Sequence, residues 1–478
     1  MASNIDATQP PATNPTTAAM RANMVAAKAE IDALQMAVLQ RFRLGHRLGN
    51  VMTKTPFSKM IDTAFSTTTG AQAFTTHIES ALESAFDAVR FILPNNTNEI
   101  TGLIGKCAVA AAAGLDPAGN MANADGLTQN NAAAWSSITW NGVASTTWAA
   151  GISAHRPAYS VTDWAAKNSK VRTDALTQSE LPLLFHRFAI PLSAGVVNIP
   201  QIAYGTGIYA QSGFTGNWAN DVSSSVTQHR IHRSIFQNTD AVTTPGNLSQ
   251  NTLQCGIPSI IQYATRRIGL NVMIVADSVG EGSSPAESGV SSTRAWGWAH
   301  RAVYALSTPD FPIELANLAW GGQNSAQYTQ RLIDLLKLND ADGFPVFRPD
   351  VLIYSPFCIN DGTPTAAIIA SQAAQTAKVL ALCHTLNILP ILYTGSLLDS
   401  LSLADDAYRS TFTTQLKAMG TNGEYIVIDT AGIWGTGATP DRWASGLVCS
   451  DGMHPSDAGK DAAAALLQTV LSFIMAGR

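Results

Sequence analysis

The chain is short of charge. Only 13% of its 478 residues are Asp, Glu, Lys or Arg, and 34 acidic against 29 basic side chains leave a formal net charge of −5. No basic stripe stands out, which argues against nucleic acid as a partner. Cysteine is scarce: residues 107, 255, 358, 383 and 449, an odd number with no CxxC pair. That argues against a disulfide framework or a zinc site and points to buried free thiols. No run of 18 apolar residues occurs, so no membrane insertion is expected. The opening MASNIDATQPPATNP lacks a basic stretch followed by an apolar one. Synthesis in a host cytoplasm without a signal peptide is therefore expected. His229 and His232, in Gln-His-Arg-Ile-His-Arg, invite a metal. On a strand, however, residues three apart face opposite sides, and on a helix the arginines would repel a cation. Neither a metal nor a cofactor is expected.

What is present is apolar: 46% of residues are hydrophobic, enough for sizeable cores, over a length that calls for two or three domains. Residues 1–17 are rich in Pro, Thr, Asn and Ala. Asn14-Pro15 then fits a helix start. Met20, Met24, Ala27, Ile31, Leu34 and Val38 form a heptad seam, either a coiled coil or one amphipathic helix docked on its own chain. A second helical stretch is expected within 61–90, through Ile78, Leu82 and Phe86. Short β-type runs follow, at Ser137–Trp140, Val143–Trp148, Leu183–Pro191, Gly195–Ile202, Gly207–Ala210 and Ser224–Phe236, separated by Gly, Pro, Asn and Ser. They predict a β-sandwich of jelly-roll type. Trp135, Trp140, Trp148, Trp164 and Trp218 would fill its core or, if exposed, stack on sugars. Residues 247–261 resemble a linker. The expected organisation is an arm and helix over 1–60, a β-rich domain over 61–262 and an α/β domain over 263–478.

The last segment alternates apolar runs and helical patterns. Strands are expected at 270–276, 312–318, 350–356, 388–394 and 424–429, with helices at about 291–306, 324–338, 364–386, 406–419 and 456–475. Such alternation predicts a parallel sheet covered on both faces. Chemistry-bearing residues stand at the strand ends. Ala276-Asp277-Ser278 closes the first strand, with glycines at 280 and 282. Asn317-Leu318-Ala319-Trp320-Gly321-Gly322 closes the second, and Cys358-Ile359-Asn360-Asp361 the third. Asp451-Gly452-Met453-His454-Pro455 precedes the last helix. A serine hydroxyl becomes a nucleophile only when a base takes its proton. His454 can do so through one ring nitrogen while Asp451, three residues earlier, braces the other.

These four blocks, in this order over residues 265–478, resemble those of the SGNH (GDSL-like) serine hydrolases. The resemblance implies a flavodoxin-like strand order and a catalytic set of Ser278, His454 and Asp451. It also implies an oxyanion hole made by the backbone N–H of Ser278, the backbone N–H of Gly322 and the side-chain amide of Asn360. Gly322 is preferred to Gly321 because it stands five residues after Asn317. Two positions depart from the family pattern: Ala276 and Cys358 replace glycines. Cys358 could itself be a nucleophile, but no histidine pairs with it locally. Asp277 and Asp361 are expected to be structural.

The expected function is a serine esterase that removes O-acyl groups, O-acetyl above all, from a bacterial surface polysaccharide. The segment PPATNPTTAAMRANMVAAKAEIDAL resembles the N-terminal particle-binding part of some phage tail proteins. That resemblance implies a virion-borne tail-spike or tail-fibre enzyme, attached to the tail or baseplate and assembled as a homo-oligomer, with a trimer favoured. The rival readings are a bacterial carbohydrate esterase not on a virion and a non-catalytic glycan receptor-binding protein.

Overall fold

The computed structural model describes residues 50–55, 65–66, 73–111, 136–166, 182–191, 198–199, 208–209, 232–237, 257–282, 297–308, 310–420 and 426–476. The heptad seam at 20–38, the tail-like segment, His229, Trp135, Trp218 and Cys255 all lie outside these residues.

The carboxyl half is a mixed α/β unit built on a five-stranded parallel sheet. Its strands lie side by side in the order Ile313–Asn317, Leu270–Val275, Val351–Tyr354, Leu389–Tyr393 and Ile426–Ile428. The first strand in sequence thus sits between the second and third, which is the flavodoxin-like order. Alternation along the Leu270–Val275 strand explains why the sheet is covered twice. Met273 and Val275 pack with Tyr328, Leu332, Val379, Cys383, Phe412 and Leu416, from helices Ser325–Leu336, Ala366–Leu386 and Leu403–Gly420. Val272 and Ile274 point the other way, into Trp298, Ala302, Val303, Ala463, Leu467 and Leu471 of helices Trp298–Leu306 and Asp457–Ala476. Side chains two apart share a face and neighbours oppose, so this apolar strand is buried on both sides. Every strand expected in this half is present, within two residues or fewer at each end, and every helix appears. The helix expected from 291 is described from Trp298. The Ala366–Leu386 helix is long and apolar enough, by length and composition alone, to cross a membrane, unlike the expectation from apolar runs. Its stripe of Gln372, Thr376, Val379 and Cys383 is buried inside the protein.

The amino half is mainly antiparallel, with a short parallel pair between Ile208–Tyr209 and His232–Gln237. One sheet contains Asn50–Lys54, Ile260–Thr265, Ala88–Asn95 and Ala158–Val161. A second contains His232–Gln237, Ala73–Ala81, Pro182–Pro191, Ile100–Ala111 and Ser136–Ile138. Met52, Phe91, Leu93, Ile261 and Tyr263 from the first share one core with Leu103, Cys107, Leu184, Phe188 and Ile190 from the second. The rings of Phe91 and Phe188 meet edge to face at 5.5 Å. Two sheets face to face form a sandwich; the connections that would define a jelly roll run through segments outside the described residues. Trp140 and Trp148 are core residues, and Trp148 Nε1–H donates to Leu93 O at 2.9 Å.

Three expectations are corrected here. The helix expected within 61–90 is two strands, Ala73–Ala81 and Ala88–Asn95. Ala73–Ala81 pairs on both edges, with Pro182–Pro191 and His232–Gln237, and its buried Thr76 and Ser80 lie four apart on one face. Ladder bonds on both sides of β-branched Thr75, Thr76 and Ile78 outweigh the four-residue apolar spacing. Leu82 and Phe86 follow in the connection between the strands and are buried there. The expected linker at 247–261 becomes strand at Ile260, so the 262/263 boundary falls inside Ile260–Thr265. The 1–60 segment likewise supplies the Asn50–Lys54 strand to the antiparallel layer.

The two halves also meet in a shared cluster. Ile92 and Ile260 sit in the same cluster as Trp320, Tyr328 and Tyr354. Beneath them runs a buried ionic junction. Lys54 Nζ lies 3.4 Å from Glu314 Oε2 and 3.8 Å from Glu83 Oε1. These separations exceed an ordinary hydrogen bond, so charge and the Tyr304 ring, 4.8 Å from Nζ, hold the ammonium. Glu314 accepts from Tyr263 Oη–H at 2.7 Å and from the Glu83 N–H at 3.1 Å. Burial, with the charge of Glu83 and against that of Lys54, pushes its carboxyl up to about 7. Burial and the charge of Lys54 push nearby His300 down to about 3.

Candidate active site

The Leu270–Val275 strand runs into Ala276, and Asp277 then turns the chain. Asp277 adopts an extended backbone, and its Oδ1 accepts the Val279 N–H at 3.0 Å, capping the single turn Ser278–Glu281. Gly282, at φ 89°, ends that turn. Gly280 has to lack a side chain, because a Cβ there would stand 2.4 Å from the Ala276 Cβ. Ala276, the first departure from the family pattern, is therefore accommodated by the glycine four residues later. Asp277 is buried, and burial raises its carboxyl, opposed by the Val279 N–H and the neighbourhood of His454 and Cys358. It acts as a cap and support, as expected.

Ser278 Oγ lies 2.8 Å from His454 Nε2, and His454 Nδ1 lies 2.6 Å from Asp451 Oδ2. The serine and histidine are 176 residues apart in the chain. Asp451 Oδ1 also accepts the N–H groups of Met453 and His454, each at 3.1 Å. Burial pushes the Asp451 carboxyl up, but the bond from the His454 ring and these two N–H groups outweigh it and hold the carboxyl below its usual range. A carboxylate on Nδ1 fixes the proton there and leaves Nε2 to accept from the serine hydroxyl. The turn is anchored through Cys449 N–H, which donates to His454 O at 2.8 Å, so the imidazole is presented from a short braced loop.

The other two blocks meet beside the serine's strand. Trp320 N–H donates to Ala276 O at 3.0 Å, tying the second block to the first. Gly321 N–H donates to Glu281 Oε2 at 2.6 Å. Gly322 follows at φ +81°, a left-handed conformation suited to glycine, with nothing within 4 Å of where a Cβ would stand. Neither the Ser278 N–H nor the Gly322 N–H donates to any described residue. Asn360 Nδ2 donates to Gln323 O at 3.0 Å, which seats its amide against this loop and leaves a second N–H on the same nitrogen. Asp361 supports the turn: it accepts from Ser325 N–H at 2.9 Å and from Gln372 Nε2–H at 2.8 Å.

Cys358 is buried, and its Sγ–H donates to Gln323 O at 3.3 Å. Burial and the nearby Asp277 and Asp361 raise its thiol well above the usual value, which disfavours the thiolate that a nucleophile needs. The four described cysteines are all buried and free. Among the described residues, no group of three or more His, Cys, Asp or Glu is placed to hold a metal ion.

Sequence reasoning passed over several residues that build this site. Arg331 donates to Gln323 Oε1 and to Leu318 O, with its guanidinium 5.0 Å from the Trp320 ring centroid. His155 comes from the antiparallel layer and puts Nδ1 3.4 Å from Gln323 Nε2. Thr55, at the end of the Asn50–Lys54 strand, accepts the Asn317 N–H at 2.9 Å. These partners lie far off in the chain and carry no local signal. Glu281, by contrast, stands inside the first block and could have been singled out as a carboxylate on a turn that is otherwise small and apolar.

No protein-family model and no curated protein sequence matches the chain. Among solved structures, it is similar to a putative acylhydrolase from Bacteroides fragilis NCTC 9343, at 17% identity over 43% of this chain and 87% of that one, with a TM-score of 0.31. It is similar to a member of the lipolytic G-D-S-L family from Veillonella parvula DSM 2008, at 15% identity over 42% of this chain and 98% of that one, TM-score 0.32. A third likeness is to an acetyl xylan esterase from Geobacillus stearothermophilus, at 16% identity over 43% and 96%, TM-score 0.32.

Proposed function

We propose that the chain is a serine ester hydrolase of the SGNH kind. The observation that carries this reading is the relay from Ser278 Oγ through His454 to Asp451, with separations of 2.8 and 2.6 Å. In the reaction, Ser278 Oγ attacks the ester carbonyl carbon while His454 Nε2 takes the hydroxyl proton. Asp451 steadies the imidazolium that forms. The carbonyl oxygen becomes an oxyanion facing the Ser278 N–H, the Gly322 N–H and the Asn360 amide. Collapse expels the alcohol with the proton from His454, and water then repeats the sequence on the acyl-serine.

The substrate in this reading is a short acyl ester, O-acetyl above all, on a large hydrophilic alcohol such as a bacterial surface polysaccharide. Small residues at the turns support it: Gly280, Gly282, Gly321 and Gly322, with Ser283 and Ser284 next in sequence and no long apolar lid segment nearby. Purified protein incubated with O-acetylated capsule or lipopolysaccharide should release acetate without shortening the polymer. Acetyl esters of p-nitrophenol should exceed octanoyl esters at least tenfold in kcat/KM, about 1.4 kcal/mol of discrimination. Chain shortening without acetate, or equal rates on octanoyl esters, would remove this substrate class.

The same proposal places the enzyme on a phage tail as an oligomer, supported by the likeness of its N-terminal segment and by the seam at Met20, Met24, Ala27, Ile31, Leu34 and Val38. Light scattering should give an oligomeric mass, a trimer favoured, that deletion of residues 1–45 weakens. A monomeric full-length chain would end this part of the reading.

A further inference from the structure

The first and second blocks are joined by a side chain that the relay does not use. Glu281 closes the nucleophile's turn and is 2% exposed. A buried carboxylate is costly unless its oxygens are bonded. Here Oε2 accepts the Gly321 N–H at 2.6 Å, a short bond to an ionisable acceptor. Around it the backbone is fixed as well. Glu281 N–H donates to Asp277 O at 3.0 Å, and Asn317 Nδ2 lies 3.4 Å from both Gly280 O and Glu281 O. Asn317 Oδ1 in turn accepts the Ala319 N–H at 3.0 Å.

The consequence falls on the next residue. Of the two adjacent glycine N–H groups, Gly321 is taken by Glu281, whereas Gly322 donates to no described residue. Gly322 has no side chain to pin it and a left-handed φ of +81°. Its backbone direction is therefore set by the Trp320–Gln323 turn, which is closed by the Gln323 N–H on Trp320 O at 3.3 Å and held at its first peptide, Trp320–Gly321, by Glu281. We propose that Glu281 is a positioning residue for the oxyanion hole: by holding the Gly321 N–H it sets the Gly322 N–H toward the acyl oxygen and ties that donor to the same turn that carries Ser278. The inference rests on the ester hydrolase reading and adds to it a group outside the relay. A negative charge would not itself be useful there, because it would oppose an oxyanion nearby. What matters is an acceptor at the right place.

That distinction gives the test. Glu281→Gln keeps an amide oxygen of the same reach and removes the charge; Glu281→Ala removes the acceptor. With p-nitrophenyl acetate and the full chain, Glu281→Gln should hold kcat within threefold of wild type or exceed it. Glu281→Ala should lose about 10²-fold in kcat, as a displaced reacting geometry does, with KM within threefold. Both thermal midpoints are to be read alongside, and covalent labelling of Ser278 by a phosphonate ester, which also needs the oxyanion donors, should slow with the same rank order. If Glu281→Ala kept wild-type kcat, or if Glu281→Gln lost as much activity as Glu281→Ala, Glu281 would not be positioning the donor. Wild-type protein without turnover on any ester would overturn the ester hydrolase reading and this inference with it. Wild-type turnover with an unaffected Glu281→Ala would overturn the inference alone.

Discussion

Ser278→Ala and His454→Ala should each bring ester turnover down by about 10⁴–10⁶-fold in kcat, while the thermal midpoint should stay near that of wild type. The asymmetry follows from where the relay sits. Ser278 Oγ bonds His454 Nε2 at 2.8 Å and makes no bond that supports the core, and the His454 side chain is 14% exposed. Losing either hydroxyl or imidazole removes the nucleophile or its base but leaves the strand, its Asp277 cap and the 451–454 turn intact. The double variant should be no slower than the slower single one, because the two groups act as a unit. Asn360→Ala should cost less, about 10²–10³ in kcat, since it deletes one of the three proposed oxyanion donors. Activity should also fall on the acid side through a single ionisation, as a base that must be neutral requires. Initial rates for p-nitrophenyl acetate from pH 4 to 9 check all of this, and a Ser278→Ala protein with wild-type rate would end the assignment.

The second large effect is on stability. Lys54→Met should destabilise the fold by about 3–5 kcal/mol, because it strands buried charge rather than removing a surface contact. Lys54, Glu83 and Glu314 are each at most 1% exposed, and the lysine is the cation between the two carboxylates. The size of the loss should depend on pH. Glu314 is pushed up to about 7 from an ordinary value of 4.5, so it keeps a proton in the fold that the unfolded chain has lost. Its contribution to stability is fully present below 4.5 and is lost as pH rises through about 7. His300 has the opposite sign: pushed down to about 3, it contributes stability above its ordinary 6.5 that is lost as pH falls toward 3. The two slopes oppose each other between 4.5 and 6.5. Glu314→Gln should therefore expose the rise of stability with pH that His300 imposes there. Urea unfolding of wild type, Lys54→Met and Glu314→Gln at pH 5 and pH 8 reads these terms. The lysine loss should be larger at pH 8, where Glu314 is ionised. A Lys54→Met loss below about 1 kcal/mol at pH 8, the scale of a surface pair, would show the junction to be incidental.

That junction also bears on the amino half. A substrate-binding or assembly module hung on a linker would share little core with the parallel-sheet half. Here Ile92 and Ile260 pack with Trp320, Thr55 binds the end of the Ile313–Asn317 strand, and His155 reaches Gln323. The antiparallel layer therefore touches the loop that carries Gly322 directly, through His155 on Gln323 and through Ile92 and Ile260 in the cluster of Trp320.

The parallel half was legible in the linear chain because its signals are local. Apolar runs such as Leu270–Val275, each closed by small or polar residues, mark strand ends, and strand ends are where an open α/β sheet gathers its chemistry. Ser278, Asn317, Asn360 and His454 could be picked out because each stands at such an end or on a short turn before a helix. Asp451 could be paired with His454 because three residues on one turn suffice to bring a carboxylate to an imidazole. The antiparallel half was legible only in part. Ile78, Leu82 and Phe86 have helical spacing, and nothing within Ala73–Ala81 announces that Pro182–Pro191 and His232–Gln237 will pair along both its edges. Strand pairing is a contest between distant segments, and its outcome is not written in any one of them.

By itself, then, the order of residues determined the strands and helices of the carboxyl half and singled out Ser278, His454 and Asp451, since each depends on periodicity or on neighbours a few positions away. Only the tertiary structure decided which of two adjacent glycine N–H groups was left undonated, that Ile260–Thr265 belongs to an antiparallel sheet rather than a linker, and that Lys54, Glu83 and Glu314 share one buried site. Those outcomes depend on groups brought together across 40 residues for Glu281 and Gly321 and 231 for Glu83 and Glu314, where burial and geometry set the energy and sequence spacing carries no information.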